Sequence, residues 1–265
     1  MHNDSIKKTV GVALAVCLVC SVFVSTAAVY LQGIQEKNKH LDKVKNILIA
    51  GGLYDKKADI QKLFSEKITS SLIDLSTGEA LTEDQYTDKL SPKTFDIKTM
   101  AADNQLGKAL TDEQDLAGIK RIPRDMLVYS VMNNGTVDKY VLPVYGKGLW
   151  STMYGFIALS NDLKTIKGIT FYEHGETPGL GGEIENPNWR ASWNGKIAFD
   201  DQADLILQVL KGKVIPSSPD ASHQIDGLSG ATLTTRGVGK MIDFWFGENG
   251  YGPFLQKMRE ASSNG

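Results

Sequence analysis

Residues 126–144 read MLVYSVMNNGTVDKYVLPV, and the pattern of this stretch sets the architecture. Residues 126–132 and 137–144 are rich in β-branched and aromatic side chains, which favour strands. They flank Asn133-Asn134-Gly135-Thr136, and an Asn-Gly pair tolerates the positive φ angles that a tight turn between two strands requires. The stretch therefore predicts an antiparallel hairpin.

The flanking sequence extends this hairpin into a larger sheet with helices after it. Residues 154–159 and 165–172 form a similar pair of strand-like runs around Asn161-Asp162. Further along, the residues around Pro187 predict a short helix, residues 205–210 fit a strand or a helical segment, and residues 235–246 carry apolar residues at helical spacing. Strands followed by helices predict an α+β domain with a largely antiparallel sheet flanked by helices.

The N-terminal part of the chain has a different character. Residues 9–35 contain no charged residue, and residues 10–31 are almost wholly apolar. A helix of about 22 residues spans roughly 33 Å, close to the hydrocarbon thickness of a bilayer. A cleaved signal peptide is the alternative, with Lys7 and Lys8 before the apolar run and small residues at 25–28. Because signal peptides have shorter apolar segments, the length favours a single membrane anchor.

Both cysteines, Cys17 and Cys20, lie inside this apolar segment. On a membrane helix they are interpreted as small packing residues, and a metal centre shared with neighbouring membrane helices is the alternative. Lysines lie on both sides of the apolar segment, so a count of basic residues leaves its orientation undecided.

The sequence predicts three parts. Residues 1–35 form an N-terminal tail and transmembrane helix, residues 36–125 a helical membrane-proximal and polar segment, and residues 126–265 the main domain. Within the second part, residues 39–50 and 59–69 have helical periodicity, whereas residues 76–120 are polar and weakly periodic.

Composition excludes several classes of protein. Lys and Arg total 29 against 31 Asp and Glu, which gives a net charge of −2, with 42% hydrophobic residues. The mean hydropathy is −0.20. These values argue against a disordered chain, a polytopic membrane protein and a basic nucleic-acid-binding protein.

Common catalytic and binding motifs are also excluded. Gly239-Lys240-Met241 lacks the hydroxyl of a P-loop, and Ile184 stands where a dinucleotide fingerprint needs its third glycine. Ser229 resembles a nucleophile elbow, but no His follows it, as a serine hydrolase would require. The four His residues never fall at metal-ligand spacing. The sequence therefore assigns no catalytic triad and no metal site.

Two segments remain as candidate binding sites. Residues 173–182, EHGETPGLGG, follow a predicted strand and are rich in glycine, which lets a backbone approach a ligand closely. A flexible loop is the alternative. Residues 226–235, DGLSGATLTT, precede a predicted helix, whose N-terminus attracts anions such as phosphate. An ordinary Ser or Thr N-cap is the alternative here.

These segments carry a resemblance to a known family. Residues 229–234, SGATLT, resemble the flavinylation motif of FMN-binding domains, in which the final Ser or Thr carries FMN through a phosphoester. Together with 176–181 (ETPGLG), 148–150 (GLW), 243–254 and 3–8 (NDSIKK), the motif makes the chain similar to the C subunits of bacterial sodium-translocating NADH:quinone oxidoreductases.

The resemblance implies a cofactor and its contacts. FMN would be attached covalently, by a phosphoester, to Thr234. The implied ring contacts are Glu176, Thr177, Gly179 and Leu180, with Trp150 and Met153 as wall residues. The implied phosphate contacts are Ser229, Gly230 and Thr232.

The resemblance also implies a role and partners. The chain would relay single electrons from an iron-sulfur centre in the membrane subunits to the covalent FMN of the B subunit, after a flavin transferase has moved FMN from FAD onto the threonine. The N-terminus would be cytoplasmic and the FMN domain periplasmic, in the inner membrane. Two alternatives stay open: the G subunit of the related ferredoxin-oxidising complex, and a membrane-anchored binding protein without redox function.

Overall fold

The computed structural model describes residues 6–263. The chain divides into two compact units, with the boundary between Lys43 and Val44. Residues 3–5 of the segment NDSIKK lie outside the described residues.

A single long helix, α1 (Ile6–Ala50), begins the described chain. Residues 6–40 are exposed, and an 18-residue window reaches a mean hydropathy of 2.5. Among residues 6–263, α1 alone is long and apolar enough to cross a membrane. Cys17 and Cys20 are free thiols on this helix. From Val44 onward the helix belongs to the second unit, where it contributes the buried side chains Val44, Asn46, Ile47, Leu48 and Ala50.

The second unit is built on a five-stranded antiparallel sheet with the order β1-β4-β5-β6-β7. Its strands are β1 (Ile68–Asp74), β4 (Asp125–Asn133), β5 (Thr136–Lys147), β6 (Thr152–Ser160) and β7 (Ile166–Glu173). Asn134 and Gly135 adopt φ angles of 49° and 85° in the turn between β4 and β5. Both predicted hairpins and the α+β class are therefore confirmed.

The sequence predicted one helix over residues 59–69, but the structure divides these residues between a shorter helix, α2, and the edge strand β1. Helix α2 (Ile60–Lys67) begins at Asp59, whose side chain accepts hydrogen bonds from the backbone amides of Gln61 and Lys62, but it stops one residue before β1. Strand β1 then pairs with β4 over its full length. Residues from the segment predicted as 36–125 thus complete the same sheet as residues 126–265, and the compact units do not divide at residue 125.

Smaller elements surround the sheet. Strands β2 and β3 form an antiparallel pair, and the two-residue strands β8 and β9 form a parallel pair. Residues 205–210, expected as strand or helix, contain β8. A C-terminal helix that was not predicted from the sequence, α6, closes the chain. The bounds are α3 (Ile97–Ala102), β2 (Gly107–Ala109), β3 (Arg121–Pro123), α4 (Pro187–Ala191), β8 (Gln208–Val209), β9 (Gln224–Ile225), α5 (Thr232–Phe246) and α6 (Gly252–Ser263).

Helix α5 packs against β5, and this contact positions the site. The indole Nε1 of Trp245 donates to the Tyr145 carbonyl at 2.7 Å, so the buried indole is hydrogen-bonded. At the other end of the helix, a Cβ on Gly237 would overlap the Lys147 carbonyl. This absence of a side chain lets the first turns of α5 approach the end of β5 and the loop that follows it.

Candidate functional site

A buried carboxylate lies at the centre of the site. Glu176, in the loop after β7, is only 5% exposed. Its Oε1 accepts hydrogen bonds from the amides of Trp150 at 2.9 Å and Ser151 at 3.3 Å, and its Oε2 accepts one from Leu149 at 3.2 Å. These three hydrogen bonds join the glycine-rich loop, residues 173–182, to the connection between β5 and β6.

The hydroxyl of Thr234 completes this arrangement. Thr234 lies in the first turn of α5 and is 1% exposed. Its Oγ1 donates a hydrogen bond to Oε2 of Glu176 at 2.5 Å. The two candidate segments of the sequence, residues 173–182 and 226–235, therefore meet at a single hydrogen bond.

The charge state of Glu176 follows from these contacts. Burial on its own would raise the pKa of the carboxyl, because it disfavours the charged form. The hydrogen bonds from the Thr234 hydroxyl and from the amides of Trp150, Leu149 and Ser151 outweigh burial and hold the pKa below its ordinary value of 4.5. Glu176 is therefore ionised at neutral pH.

Two glycines leave the space that this pair occupies. A Cβ on Gly148 would lie 2.5 Å from Oε1 of Glu176. A Cβ on Gly181 would lie 2.5 Å from Oγ1 of Thr234 and 2.8 Å from Oε2 of Glu176. All three distances are shorter than a contact between carbon and oxygen allows, so any side chain at these positions would displace the pair. Gly181 of the candidate loop thus serves close packing against Glu176 and Thr234.

The start of α5 lacks the Ser or Thr cap that was one interpretation of this segment. The N-cap is Ala231, which makes no side-chain hydrogen bond to the helix. Thr235 is also not a cap, since its Oγ1 accepts from the Leu228 amide at 3.0 Å, upstream in the chain. The first amides of a helix have no partner within it, and here no side chain of the N-cap covers them. The N-cap interpretation was therefore wrong, and the helix start stays available to an anion.

An apolar rim, defined here as Leu149, Trp150, Leu180 and Leu233, surrounds the buried pair. Trp150 is 66% exposed and Leu180 is 45% exposed, and Leu149 and Leu233 are exposed as well. Leu180 lies over Gly230, where a Cβ would contact its Cδ2 at 3.0 Å. Exposed apolar side chains gathered around a polar centre are typical of a ligand or partner site.

A groove of about 370 Å³ borders this rim. Its lining includes Leu116, Leu149, Leu233, Arg236 and Lys240. Leu149 and Leu233 were not predicted as site residues from the sequence. The available signal was their position, because each is a large apolar residue within one of the quoted motifs, Leu149 in GLW and Leu233 in SGATLT.

The other predicted residues differ in their surroundings. Thr177 is exposed, and its carbonyl accepts from the amides of Leu180 and Gly182 at 3.1 and 2.9 Å. Gly179 and Gly230 adopt positive φ angles of 77° and 73°. Ser229 is exposed and Thr232 is half-buried as the first residue of α5. Met153 is fully buried beneath Gly148 and supports the loop from inside the core.

His174 also belongs to the site, although the sequence pattern predicted no role for it. Its Nδ1 accepts the backbone amide of Glu176 at 3.1 Å, and its Nε2 lies 3.1 Å from Oε1 of Glu185. The ring thus fixes the backbone that carries the central carboxylate. Within residues 6–263, no group of three or more His, Cys, Asp and Glu side chains is placed to hold a metal ion.

Comparison with known proteins connects this geometry to a family. The model of the FMN-binding domain family matches residues 148–247, a range that contains Gly148, Glu176 and Thr234. The C subunit of the Na(+)-translocating NADH-quinone reductase of Yersinia pestis is 48% identical over 98% of this chain and 96% of its own length. The corresponding C subunit of Pseudomonas aeruginosa is 45% identical over 99% of both chains.

Solved structures agree with these sequence relatives. The crystal structure of Shewanella oneidensis NqrC superimposes with a TM-score of 0.74 at 33% identity, and the match covers 83% of this chain and 98% of that one. The C subunit of the reductase from Parabacteroides distasonis superimposes with a TM-score of 0.63 at 26% identity, over 85% and 96% of the two chains. The chain therefore belongs to the family of C subunits of the Na(+)-translocating NADH-quinone reductases, and it contains that family's FMN-binding domain.

Proposed function

We propose that this chain is the electron-carrying subunit of its complex and that its FMN is joined by a phosphoester to the Oγ1 of Thr234. One observation carries the proposal: a threonine hydroxyl at the N-terminus of α5 is fixed by hydrogen bonding to a buried carboxylate. A structural threonine could donate its hydroxyl proton to the backbone carbonyl three or four residues earlier. This hydroxyl instead bonds across to the glycine-rich loop.

The start of α5 fits a phosphate group. Its first amides and the positive end of the helix dipole attract an anion, and Ala231 offers no side chain in competition. Ser229, Gly230 and Thr232 adjoin this position and would hold the phosphate oxygens. A phosphate fixed at this point leaves the rest of the cofactor free to lie across the neighbouring surface.

The apolar rim fits a flat aromatic ring. Leu149, Trp150, Leu180 and Leu233 present exposed apolar side chains, and an aromatic ring laid against them would remove their surface from water. Thr177 and Gly179 would lie along the ring edge, and Glu176 beneath the attachment point. Bound FMN supplies one-electron transfer, while the chain holds the ring, excludes water and adjusts its potential.

The partners follow from the place of the C subunit in its complex. We propose that the chain accepts electrons from an iron-sulfur centre in the membrane subunits and delivers them to the FMN of the B subunit. A flavin transferase would install the cofactor from FAD. Co-purification with an NADH-oxidising flavoprotein would support these partners, and purification of the chain without one would contradict them.

The proposed location is the bacterial inner membrane, with α1 as a single-pass anchor. The N-terminus would be cytoplasmic and the FMN domain periplasmic. The length of the apolar segment of α1 favours an anchor over a cleaved signal, because signal peptides have shorter apolar segments. Labelling of Ser76→Cys by a membrane-impermeant maleimide on intact cells tests the sidedness, and protection of that thiol from outside would contradict it.

Covalent flavin is tested on a denaturing gel. The full chain, co-expressed with a flavin transferase, should give a fluorescent band under ultraviolet light. Thr234→Ala should give a dark band. Thr232→Ala, which removes a proposed phosphate contact but not the attachment oxygen, should stay fluorescent. A dark wild-type band would contradict the covalent attachment.

A further inference from the structure

The proton of the Thr234 hydroxyl has a defined acceptor. Oγ1 of Thr234 donates to Oε2 of Glu176 at 2.5 Å, and both residues are buried. With its proton directed at the carboxylate, the hydroxyl oxygen keeps its lone pairs for another partner. This is the geometry that a nucleophile and its base adopt before attack.

The carboxylate is held as an anion by dipoles rather than by a cation. The groups that stabilise the ionised form of Glu176 are the Thr234 hydroxyl and the amides of Trp150, Leu149 and Ser151, with no Lys or Arg among them. Hydrogen bonds to both oxygens keep the carboxylate ionised and fix its direction, so Oε2 is present at neutral pH as a proton acceptor beside Thr234.

We propose that Glu176 is the general base that activates Thr234 when FMN is attached. This role rests on the proposed function, because it concerns the same phosphoester. Carboxylates commonly take up a hydroxyl proton in the transition state of attack, and such a base contributes about 10²- to 10⁴-fold in rate.

The step balances without a redox change. The Oγ1 of Thr234 forms a bond to the phosphorus on the riboflavin side of FAD, and the bond from that phosphorus to the bridging oxygen of the pyrophosphate breaks. AMP leaves with the electron pair of that bond. The proton of Thr234 passes to Oε2 of Glu176, which releases it to water after the product has formed.

The burial of Thr234 restricts the access of FAD to its Oγ1. The residue is 1% exposed, and Gly181 lies directly against its hydroxyl, since a Cβ there would be 2.5 Å from Oγ1. FAD can reach the oxygen only if the segment around Gly181 moves aside. The three amides from residues 149–151 come from a different loop, so they can hold Glu176 in place during that movement.

The rate of attachment to the full chain tests this role. Purified flavin-free chain in detergent is mixed with FAD and the flavin transferase, and covalent flavin is followed by gel fluorescence and intact mass. Glu176→Gln keeps the size of the side chain and removes the base, so its rate should fall by about 10²- to 10⁴-fold. Glu248→Gln, which removes an exposed carboxylate outside the site, should react like wild type.

The pH dependence separates a base from a structural residue. The ratio of wild-type to Glu176→Gln rates, measured with the same transferase, should fall about tenfold per pH unit as hydroxide replaces the missing base. Glu176→Asp retains a carboxylate, but its oxygens lie about 1.5 Å further from Thr234. Its attachment rate should therefore be lower than that of wild type, and the ratio of the two rates should not change with pH. A structural role would instead give a ratio independent of pH in both variants.

The outcomes separate the two proposals. If Glu176→Gln reacts within threefold of wild type, the base is refuted and the attachment to Thr234 stands. If the wild-type chain itself stays unlabelled, the proposed attachment fails and this role fails with it. If thermal denaturation shows that Glu176→Gln is unfolded, the pH profile of the wild-type chain decides. Its rate should fall once the carboxyl of Glu176 becomes protonated below pH 4.5, and a rate that does not fall there would also refute the base.

Discussion

The hydroxyl of Thr234 and the carboxylate of Glu176 are 58 positions apart in the chain and 2.5 Å apart in the fold. This hydrogen bond joins the first turn of α5 to the glycine-rich loop after β7. The same bond supports the attachment site and the proposed base, so changes at either residue should alter both the stability and the chemistry of the site.

Removal of the Thr234 hydroxyl should destabilise the flavin-free chain. Thr234→Val keeps the shape of the side chain but leaves Oε2 of Glu176 without its shortest hydrogen bond. We expect the free energy of unfolding to fall by about 1–3 kcal/mol, the usual penalty for a buried group that loses its partner. Urea denaturation measures this change. Thr232→Val, at a half-buried position, is the matched control, and equal losses in the two variants would argue against the special role of Thr234.

The Glu176 contact should make stability depend on pH in the acid range. The folded-state pKa of this carboxyl lies below its ordinary value of 4.5, because the hydrogen bonds from Thr234 and the amides outweigh the opposing effect of burial. Ionised Glu176 therefore contributes to the free energy of unfolding above about pH 4.5, and this contribution is lost as the pH falls through the lower folded-state pKa.

Urea titrations between pH 6 and pH 3 test this dependence. The difference in unfolding free energy between wild type and Glu176→Gln should shrink as the pH falls. Glu248→Gln, which removes an exposed carboxylate elsewhere, should show no such trend. A difference that stays constant, or grows toward low pH, would contradict the assigned direction of the pKa shift.

Gly181 should tolerate no side chain. A Cβ at this position would lie 2.5 Å from Oγ1 of Thr234, so Gly181→Ala must separate the pair or shift the loop. We expect a loss of about 1–3 kcal/mol in stability and a lower yield of covalent flavin. Thermal denaturation and gel fluorescence report the two effects. Gly212→Ala is the control, since a Cβ there meets nothing within 4 Å, and wild-type behaviour of both variants would refute the close packing.

The apolar rim should contribute to flavin affinity but not to folding. In a Thr234→Ala background FMN can bind only without a covalent bond, and Leu180→Ala should weaken that binding about tenfold through lost apolar contact. Because Leu180 is 45% exposed, the unfolding midpoint should barely change. Ile215→Ala, at an exposed position outside the rim, serves as the control. Unchanged FMN affinity, measured by fluorescence quenching, would remove Leu180 from the ring site.

Local sequence signals predicted much of the fold. The Asn134-Gly135 turn has the positive φ angles that its residue types favour, so the first hairpin could be assigned from nearest neighbours alone. The strand β1 was missed because Thr69, Ser70 and Ser71 give it little hydrophobic alternation. Its position is set by pairing with β4, more than fifty residues downstream, which no local pattern reveals.

Residue types and the family resemblance predicted which residues belong to the candidate site, but they did not predict which of these residues contact one another. Glu176 and Thr234 each stood in a segment that composition marked as unusual. Their hydrogen bond depends on the β5–β6 register and on the packing of Gly237 against Lys147, which are tertiary features. The same limit applies to His174, whose role is to hold the backbone amide of Glu176.

The location of FMN on the chain tests the attachment to Thr234 without any variant. Trypsin should release residues 214–236, bounded by Lys213 and Arg236, as one peptide that contains Ser229, Thr232, Thr234 and Thr235. Fragmentation of this peptide by mass spectrometry, after co-expression with the flavin transferase, should place the mass of one FMN, less one water, on Thr234. A peptide without that mass, or with the mass on another hydroxyl, would contradict the proposed attachment.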